Sequence, residues 1–166
     1  MISASPRRTT ARRSAASRHA DGLLLDHQLC FALYAASLAM TKLYKPLLEP
    51  LGLTYPQYLV MLVLWQADGI TVSQLGERLA LDSGTLTPLL KRLESSGLLQ
   101  RLRDATDERR VLLQLTASGR ALKTRALGVP RTMAATTGCE LGELAALTAR
   151  LQALRSRLSA PLPNAA

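Results

Sequence analysis

The chain has 166 residues, of which 48% are hydrophobic and 4% aromatic, and its net charge is +9. This length fits one domain, and because Phe and Trp are nearly absent, Leu and Ala must build its core, which favours helices. No apolar run approaches the ~18 residues of a membrane span and no secretory leader is visible, so we expect a cytoplasmic protein with reduced cysteines. The basic charge indicates a polyanionic partner, nucleic acid before membrane.

Residues 1–20 form a basic tail, in which five arginines and no acidic residue supply +5 of the total +9. The tail is rich in Ser and Ala and lacks apolar periodicity, which is typical of a disordered extension. An organellar transit peptide and a weak, non-specific DNA tether share this composition and remain alternatives. We expect residues 21–166 to form a single domain.

Amphipathic helices are predicted at both ends of this domain, at about 26–49 and within 116–158. Their apolar residues recur every three or four positions, the heptad pattern of one helix packing along another. These residues are Leu29, Leu33, Ala36, Met40, Leu43 and Leu47, and then Leu141, Leu144, Leu147, Leu151, Leu154 and Leu158. Two such seams around a compact middle predict an intertwined homodimer, with packing of the two helices inside one chain as the alternative.

A helix-turn-helix is predicted between these terminal helices. Capping boxes open helices at about 54–66 and 71–80, and a further amphipathic helix spans about 82–97. A short helix, a three-residue joint and a second helix make the motif. Pro88 fits poorly inside the second helix, because it has no N–H to donate to the Gly84 carbonyl.

A β-hairpin follows, with strands at 98–103 and 111–115 and a charged tip of seven residues between them. A tight hairpin needs only about two to five loop residues, so this tip is expected to touch a partner. Thr116 caps the next helix. We therefore predict a mainly α (α+β) fold: a winged helix-turn-helix at about 54–115, with terminal helices forming a dimerisation bundle.

The winged helix predicts binding to double-stranded operator DNA. From Arg78 to Arg131, eleven Lys and Arg face five Asp and Glu, a local charge of +6. The second helix would enter the major groove and the tip would probe the minor groove. The expected contact residues are Ser83, Thr85, Thr87, Lys91 and Arg92 in the helix, and Asp107, Arg109 and Arg110 in the tip. A merely solvated basic face is the alternative.

Cys30, which we expect to be buried, lies early in the first helix, with Tyr44 later in it and Tyr55 opening the next. A thiol among phenols ahead of a DNA-binding motif suggests DNA binding controlled by cysteine oxidation. Cys30 and Tyr44 share a helix face but lie about 21 Å apart at 1.5 Å per residue. They would meet only across two antiparallel chains. Tyr34, one turn after Cys30, is a further candidate, and an inert buried thiol is the alternative.

The chain from Asp26 to Leu158 resembles the MarR-type regulators, and among them the repressors that sense organic hydroperoxides. The resemblance rests on the runs LDHQLCFALY, LTYPQY and LDSGTLTPLLKRL, and on the tip sequence DER. It implies that Cys30 is the peroxide-reactive thiolate and that Tyr44 and Tyr55 bind it from the partner subunit. It also implies repression that ends when an organic hydroperoxide oxidises Cys30.

Cys139 departs from the pattern of the two-cysteine members, whose resolving thiol matches Ala135 here, although some carry a cysteine near position 139. A disulfide between Cys30 and Cys139 of two subunits and capping of Cys30 by a low-molecular-weight thiol therefore both stay open. Three rivals remain: a MarR-type repressor relieved by a phenolic or drug-like ligand, a thiol peroxidase and an architectural DNA coat. No cofactor or metal motif is visible, so an enzyme is not expected.

Overall fold

The computed structural model describes residues 23–105, 107 and 109–160, so the predicted basic tail lies outside the described residues. Its elements are α1 (Leu29–Leu48), α2 (Tyr55–Gln66), β1 (Ile70–Thr71), α3 (Val72–Leu79), α4 (Ser83–Ser95), β2 (Leu99–Arg103), β3 (Val111–Leu115), α5 (Ala117–Ala126), α6 (Val129–Thr137) and α7 (Leu141–Leu158). Short 3-10 turns lie at Leu25–His27 and Glu49–Leu51. The contacts divide the chain into two units, one ending at Lys42 and the other beginning at Leu43.

Most of the described core belongs to the helix-turn-helix and the elements around it. Apolar side chains of α2, α3, α4, β2 and β3 are almost wholly removed from solvent, since each amphipathic element turns one face inward. The most deeply buried of these are Tyr58, Val60, Met61, Leu64, Leu75, Leu86, Leu90, Leu93, Leu99 and Leu113. This core fixes the orientation of α4, whose opposite face is solvent-exposed.

The wing is part of a three-stranded antiparallel sheet in the order β1-β3-β2. Strands β2 and β3 pair from Leu99 with Leu115 to Arg103 with Val111, so the predicted hairpin is confirmed. Strand β1 pairs with β3 through Ile70 and Leu113. The sequence did not predict β1, because two residues carry no detectable period and their pairing is set by tertiary packing.

The terminal helices begin and end differently from the prediction. Helix α1 begins at Leu29 instead of 26, because Gln28 is extended and separates it from the preceding 3-10 turn. The region 116–158 contains three helices, and Gly138 in the left-handed conformation separates the last two.

Among the described residues no single helix has both the length and the apolarity to cross a membrane. The segments 29–51 and 55–66 meet that test together, but only as a bent pair.

Both predicted capping boxes are present. The Thr71 hydroxyl accepts from the Gln74 amide at 3.1 Å while the Gln74 side chain accepts from the Thr71 amide at 2.9 Å. At the start of α2 the Thr54 amide donates to Gln57 Oε1 at 2.8 Å. Helix α4 continues through Pro88 without ending, which resolves the conflict left by the sequence. Local capping therefore sets where these helices begin.

Two glycines allow backbone segments to approach closely. A Cβ on Gly76 would lie 2.8 Å from the Leu81 carbonyl oxygen, at the joint of the helix-turn-helix. A Cβ on Gly119 would overlap the Leu98 carbonyl oxygen, where α5 meets the start of the wing. Real Cβ atoms essentially never come within 3.0 Å of another heavy atom outside their own chain neighbours. The packing of α5 against the wing therefore requires glycine at position 119.

We predict that Gly119→Ala lowers the free energy of unfolding by about 2–4 kcal/mol, because the backbone must shift to relieve the overlap with Leu98. The matched control is Gly142→Ala in α7, where a Cβ would meet nothing within 4 Å. That change should leave stability unchanged or raise it by up to about 1 kcal/mol, since Ala is the better helix former. Urea unfolding of both variants measures the difference, and equal stabilities would contradict the close approach.

Candidate nucleic-acid interface and cysteine site

Helix α4 presents a polar face to solvent and an apolar face to the core. The sequence alternates the two kinds of residue at helical spacing, and Leu86, Leu90 and Leu93 are at most 1% exposed. The predicted DNA-contacting residues of this helix are all exposed: Ser83, Thr85, Thr87, Lys91 and Arg92. The structure therefore brings them together on one accessible surface with two cationic side chains.

The hydroxyl groups near the start of α4 are already oriented by the helix. Asp82 is the N-cap: its Oδ1 accepts from the Thr85 amide at 2.8 Å, and its Oδ2 accepts from the Thr85 hydroxyl at 3.1 Å. The Thr85 backbone N–H, followed by its hydroxyl, lowers the pKa of Asp82. The Thr87 hydroxyl donates to the Ser83 carbonyl at 2.7 Å. With their protons so engaged, both threonine hydroxyls offer acceptor lone pairs to a partner.

The wing tip carries two arginines held by acidic neighbours. Asp107 Oδ1 accepts from Arg109 Nε at 3.0 Å and from its amide at 3.1 Å, and these bonds lower the pKa of Asp107. Arg110 Nε lies 3.7 Å from Asp104 Oδ2. The Arg109 side chain is nevertheless 91% exposed. As predicted, Asp107 orients an arginine that remains available to a partner.

An ion pair that sequence analysis missed joins α4 to the wing. Arg101 in β2 donates through Nε to Glu94 Oε2 at 2.8 Å, and its amide donates to Glu94 Oε1 at 3.1 Å. The bonds from the Arg101 side chain lower the pKa of Glu94. In the sequence, the only sign of the Glu94–Arg101 pair was two opposite charges seven residues apart across a turn.

A groove of about 380 Å³ runs between α4 and the wing. It is lined by Thr87, Arg101, Arg109 and Arg110 among others.

Three tyrosines form a cluster in the second unit. The Tyr44 ring lies 4.8 Å from Tyr55 and 5.8 Å from Tyr58, measured between centroids. Burial, and then the neighbouring Tyr55 and Tyr58, raise the pKa of Tyr44 to about 12. Burial also raises the pKa of Tyr55 and of Tyr58. The structure thus joins the two predicted phenols and adds Tyr58, which its three-residue spacing from Tyr55 on a helix could have signalled.

The cysteines differ from the prediction in one respect. Cys30 is exposed in this chain, not buried, because the first turns of α1 around it are largely accessible. Tyr34 is exposed on the same helix. Cys139 is partly buried after Gly138, and its Sγ lies 3.7 Å from the Thr137 carbonyl oxygen. A contact of Cys30 with the phenols or with Cys139 stays a prediction.

A helix-turn-helix with an exposed polar face on its second helix, followed directly by an arginine-tipped hairpin, defines a winged-helix DNA-binding protein. Comparison with known proteins gives the family. A sequence model of the transcriptional regulators SarA/Rot matches residues 42–126. The chain belongs to this SarA/Rot type of the MarR family of winged-helix transcriptional regulators, as its motifs predicted.

Two curated relatives and one solved structure show the extent of the similarity. The chain is 55% identical over 113 residues to the organic hydroperoxide resistance transcriptional regulator of Bacillus subtilis, covering 68% of this chain and 77% of that protein. It is 53% identical over 136 residues to the HTH-type transcriptional regulator TtmR of Methylorubrum extorquens, covering 82% and 70%. Reduced AbfR of Staphylococcus epidermidis bound to DNA matches with a TM-score of 0.71 and 32% identity, covering 86% and 99%.

The same AbfR protein with a disulfide formed matches less closely, with a TM-score of 0.58, 33% identity and coverage of 84% and 98%.

The two curated relatives, from Bacillus subtilis and Methylorubrum extorquens, are regulators of transcription. The chain is accordingly a transcriptional regulator and not an enzyme, which confirms the prediction and removes the thiol peroxidase.

We predict that Glu94→Gln weakens binding about three- to tenfold to a duplex that the wild-type protein selects from a random pool. Loss of the Arg101 pair would let the wing move relative to α4. The control is Glu77→Gln, which removes the same charge from an exposed position on α3. Charge removal alone strengthens DNA binding, so Glu77→Gln should not weaken it. Equal effects in the two variants would show that the ion pair does not position the wing.

We also predict that Tyr44 makes stability fall with alkaline pH. Its pKa of about 12 in the folded chain exceeds the value of about 10 in an unfolded chain. The stabilisation is therefore complete below about pH 10 and is lost as the pH rises through about 12. Urea unfolding between these limits should show a shallower decline for Tyr44→Phe than for wild type. Tyr34→Phe, which removes an exposed phenol, should leave the decline in place.

Proposed function

We propose that the protein is a homodimeric, redox-sensing repressor that releases its operator DNA when an organic hydroperoxide oxidises Cys30. The observation that carries this proposal is the pair formed by the buried Tyr44 and the partly buried Tyr55, with ring centroids 4.8 Å apart, on a chain whose Cys30 is exposed. The 55% identity to an organic hydroperoxide resistance regulator supports the same chemistry. We place this activity in the cytoplasm, where thiols are kept reduced between oxidation events.

A homodimer is supported by the incompletely buried apolar seams of the terminal helices. Helix α7 has no buried residue, and its Leu141 and Leu158 are 74% and 73% exposed. In α1 only Tyr44 and Leu48 are buried, although the helix is 20 residues long. Exposed heptad seams of this length are stable in water when a second helix covers them. A second copy of the chain is the partner we propose.

The proposed chemistry starts from the Cys30 thiolate. The sulfur attacks one peroxide oxygen, the O–O bond breaks, and an alcohol leaves after the alkoxide takes a proton. The sulfur is oxidised by two electrons and becomes a sulfenic acid, while the peroxide is reduced. Phenols that retain their protons donate hydrogen bonds to an anion. In a dimer, Tyr44 and Tyr55 of one subunit would supply those bonds to Cys30 of the other.

A second thiol would then convert the sulfenic acid into a disulfide and release water. Cys139 of the partner subunit and a low-molecular-weight thiol are both candidates for this step. Cys139 is partly buried at the junction of α6 and α7, and the similar protein AbfR has been solved with a disulfide formed. A disulfide requires the two Cα atoms within about 7 Å, so its formation would constrain the helices and respace the DNA-binding units.

A second candidate function is a repressor relieved by a phenolic or drug-like ligand. One observation favours it: a cleft of about 230 Å³ lies between α2 and the α5–α6 region, lined by Tyr58, Leu62, Trp65, Lys123 and Leu127 among others. This volume is below the ~300–1,000 Å³ of most ligand pockets. The cleft therefore suits only a small ligand, which leaves Cys30 oxidation as the function we favour.

We predict that one equivalent of cumene hydroperoxide oxidises Cys30 of the reduced protein, to a sulfenic acid or onward to a disulfide, and lowers its affinity for the selected duplex at least about tenfold. Mass spectrometry locates the modification, and fluorescence anisotropy measures the affinity. Cys30→Ser should keep the duplex bound under the same treatment. A covalent dimer that disappears in Cys139→Ser would identify Cys139 as the resolving thiol.

Normal release by Cys30→Ser after peroxide treatment would contradict the redox mechanism. Release of wild type and Cys30→Ser alike by a small phenol, without oxidant, would instead support the ligand-relieved repressor. An adduct with added low-molecular-weight thiol in Cys139→Ser would show that capping suffices. Sedimentation of the reduced protein as a monomer at assay concentration would contradict the dimer.

A further inference from the structure

We infer that Trp65 couples the tyrosine cluster to the junction between α4 and the wing, and so acts as a positioning residue for DNA binding. This inference rests on the proposed function for its biological meaning, but its geometry is independent of Cys30. The chain has one tryptophan, and it lies at the end of α2 between the cluster and α5. Neither the winged-helix fold nor the phenol pair assigns it a role.

The first link runs from the phenols to the indole. The Tyr44 ring contacts Tyr58 at 5.8 Å, and the Tyr58 ring meets Trp65 edge-on at 6.2 Å. Tyr58 is 1% exposed and cannot swing away into solvent. Close-packed aromatic rings have few alternative arrangements, so a displaced Tyr44 must move Tyr58, and Tyr58 must press on Trp65.

The second link runs from the indole to α5. Trp65 Nε1 donates to the Gly119 carbonyl at 2.9 Å, and Lys123 Nζ donates to the Trp65 carbonyl at 2.9 Å. Two hydrogen bonds in opposite directions therefore fasten the last turn of α2 to α5. Because one of them ends on the Gly119 backbone, movement of the indole acts directly on the position of that residue.

The third link runs from Gly119 to the end of α4. Gly119 packs against the Leu98 carbonyl so closely that no Cβ fits between them. The Leu98 carbonyl accepts from the Thr116 amide at 3.1 Å, and the Leu98 amide donates to the Leu93 carbonyl at 3.0 Å. Leu98 thus joins α4 directly to β2. Displacement of Gly119 changes the angle between the helix and the wing that together contact DNA.

The first test needs neither oxidant nor operator. Tyr44→Leu removes the ring that begins the chain of contacts, and amide exchange at Leu98 and Thr116 is followed by NMR. Exchange at both amides should accelerate at least about fivefold when Trp65 is present. In a Trp65→Phe background, which keeps a ring beside Tyr58 but removes the indole N–H, the same change should have less than about a twofold effect. Equal acceleration in both backgrounds would overturn the inference.

The second test uses the proposed switch. The ratio of Kd for the selected duplex after and before complete oxidation by cumene hydroperoxide is measured for each variant. Mass spectrometry confirms complete oxidation of Cys30, so altered reaction rates do not enter. Trp65→Phe should lower this ratio at least about fivefold relative to wild type. An unchanged ratio would overturn the coupling, whereas a wild-type ratio near one would overturn the proposed function and leave the exchange test to decide the coupling.

Two variants at exposed cations on α5 test the same coupling without changing Trp65, so the result does not depend on how Trp65→Phe folds. Lys123 and Arg125 each donate one hydrogen bond to a backbone carbonyl, to Trp65 and to Pro50 respectively. Lys123→Met should reduce the oxidised-to-reduced Kd ratio and the exchange response about twofold or more, because it loosens the Trp65 attachment. Arg125→Met should leave both unchanged. Identical behaviour of the two variants would count against a route through Trp65.

Discussion

The contact between the Gly119 backbone and the Leu98 carbonyl is the constraint on which the DNA-binding unit depends. Helix α4 ends, strand β2 begins and helix α5 begins close to this contact. Backbone hydrogen bonds join the three elements there. The Thr116 hydroxyl links the junction further by donating to the Gly97 carbonyl and accepting from the Gly119 amide. A junction made of backbone groups allows little movement, so together with the Glu94–Arg101 ion pair it holds the angle between α4 and the wing.

The outward face of α4 carries polar groups whose orientation is set within the helix. Thr85 and Thr87 donate their hydroxyl protons to Asp82 and Ser83, so both hydroxyl oxygens present acceptor lone pairs in defined positions. The alternation of these residues with buried leucines made the face predictable from the sequence. The Glu94–Arg101 pair that aligns the wing could not be predicted from the sequence, because pairing between a helix and a strand depends on how the two elements pack.

Sequence patterns predicted the local parts of the fold well and the tertiary parts less well. Capping boxes at 54–57 and 71–74 are determined by residues three positions apart, and both were confirmed. Strand β1 is two residues long and exists only because β3 lies beside it. Tyr58 joins the phenols through tertiary packing, and its three-residue spacing from Tyr55 on one helix was its only signal in the sequence. Cys30 was expected to be buried, but within one chain it lies on an exposed part of α1.

The packing of Tyr44, Tyr55 and Tyr58 against one another limits the signals to which the tyrosine cluster can respond. Burial raises the pKa of Tyr44, Tyr55 and Tyr58 above the ordinary value. All three therefore retain their protons over the whole range of acidity found inside cells. The number of hydroxyl donors in the cluster does not vary when the surroundings become more acidic or more alkaline. The redox switch proposed for Cys30, if built around this cluster, would respond to oxidation of the sulfur and not to a change in proton concentration.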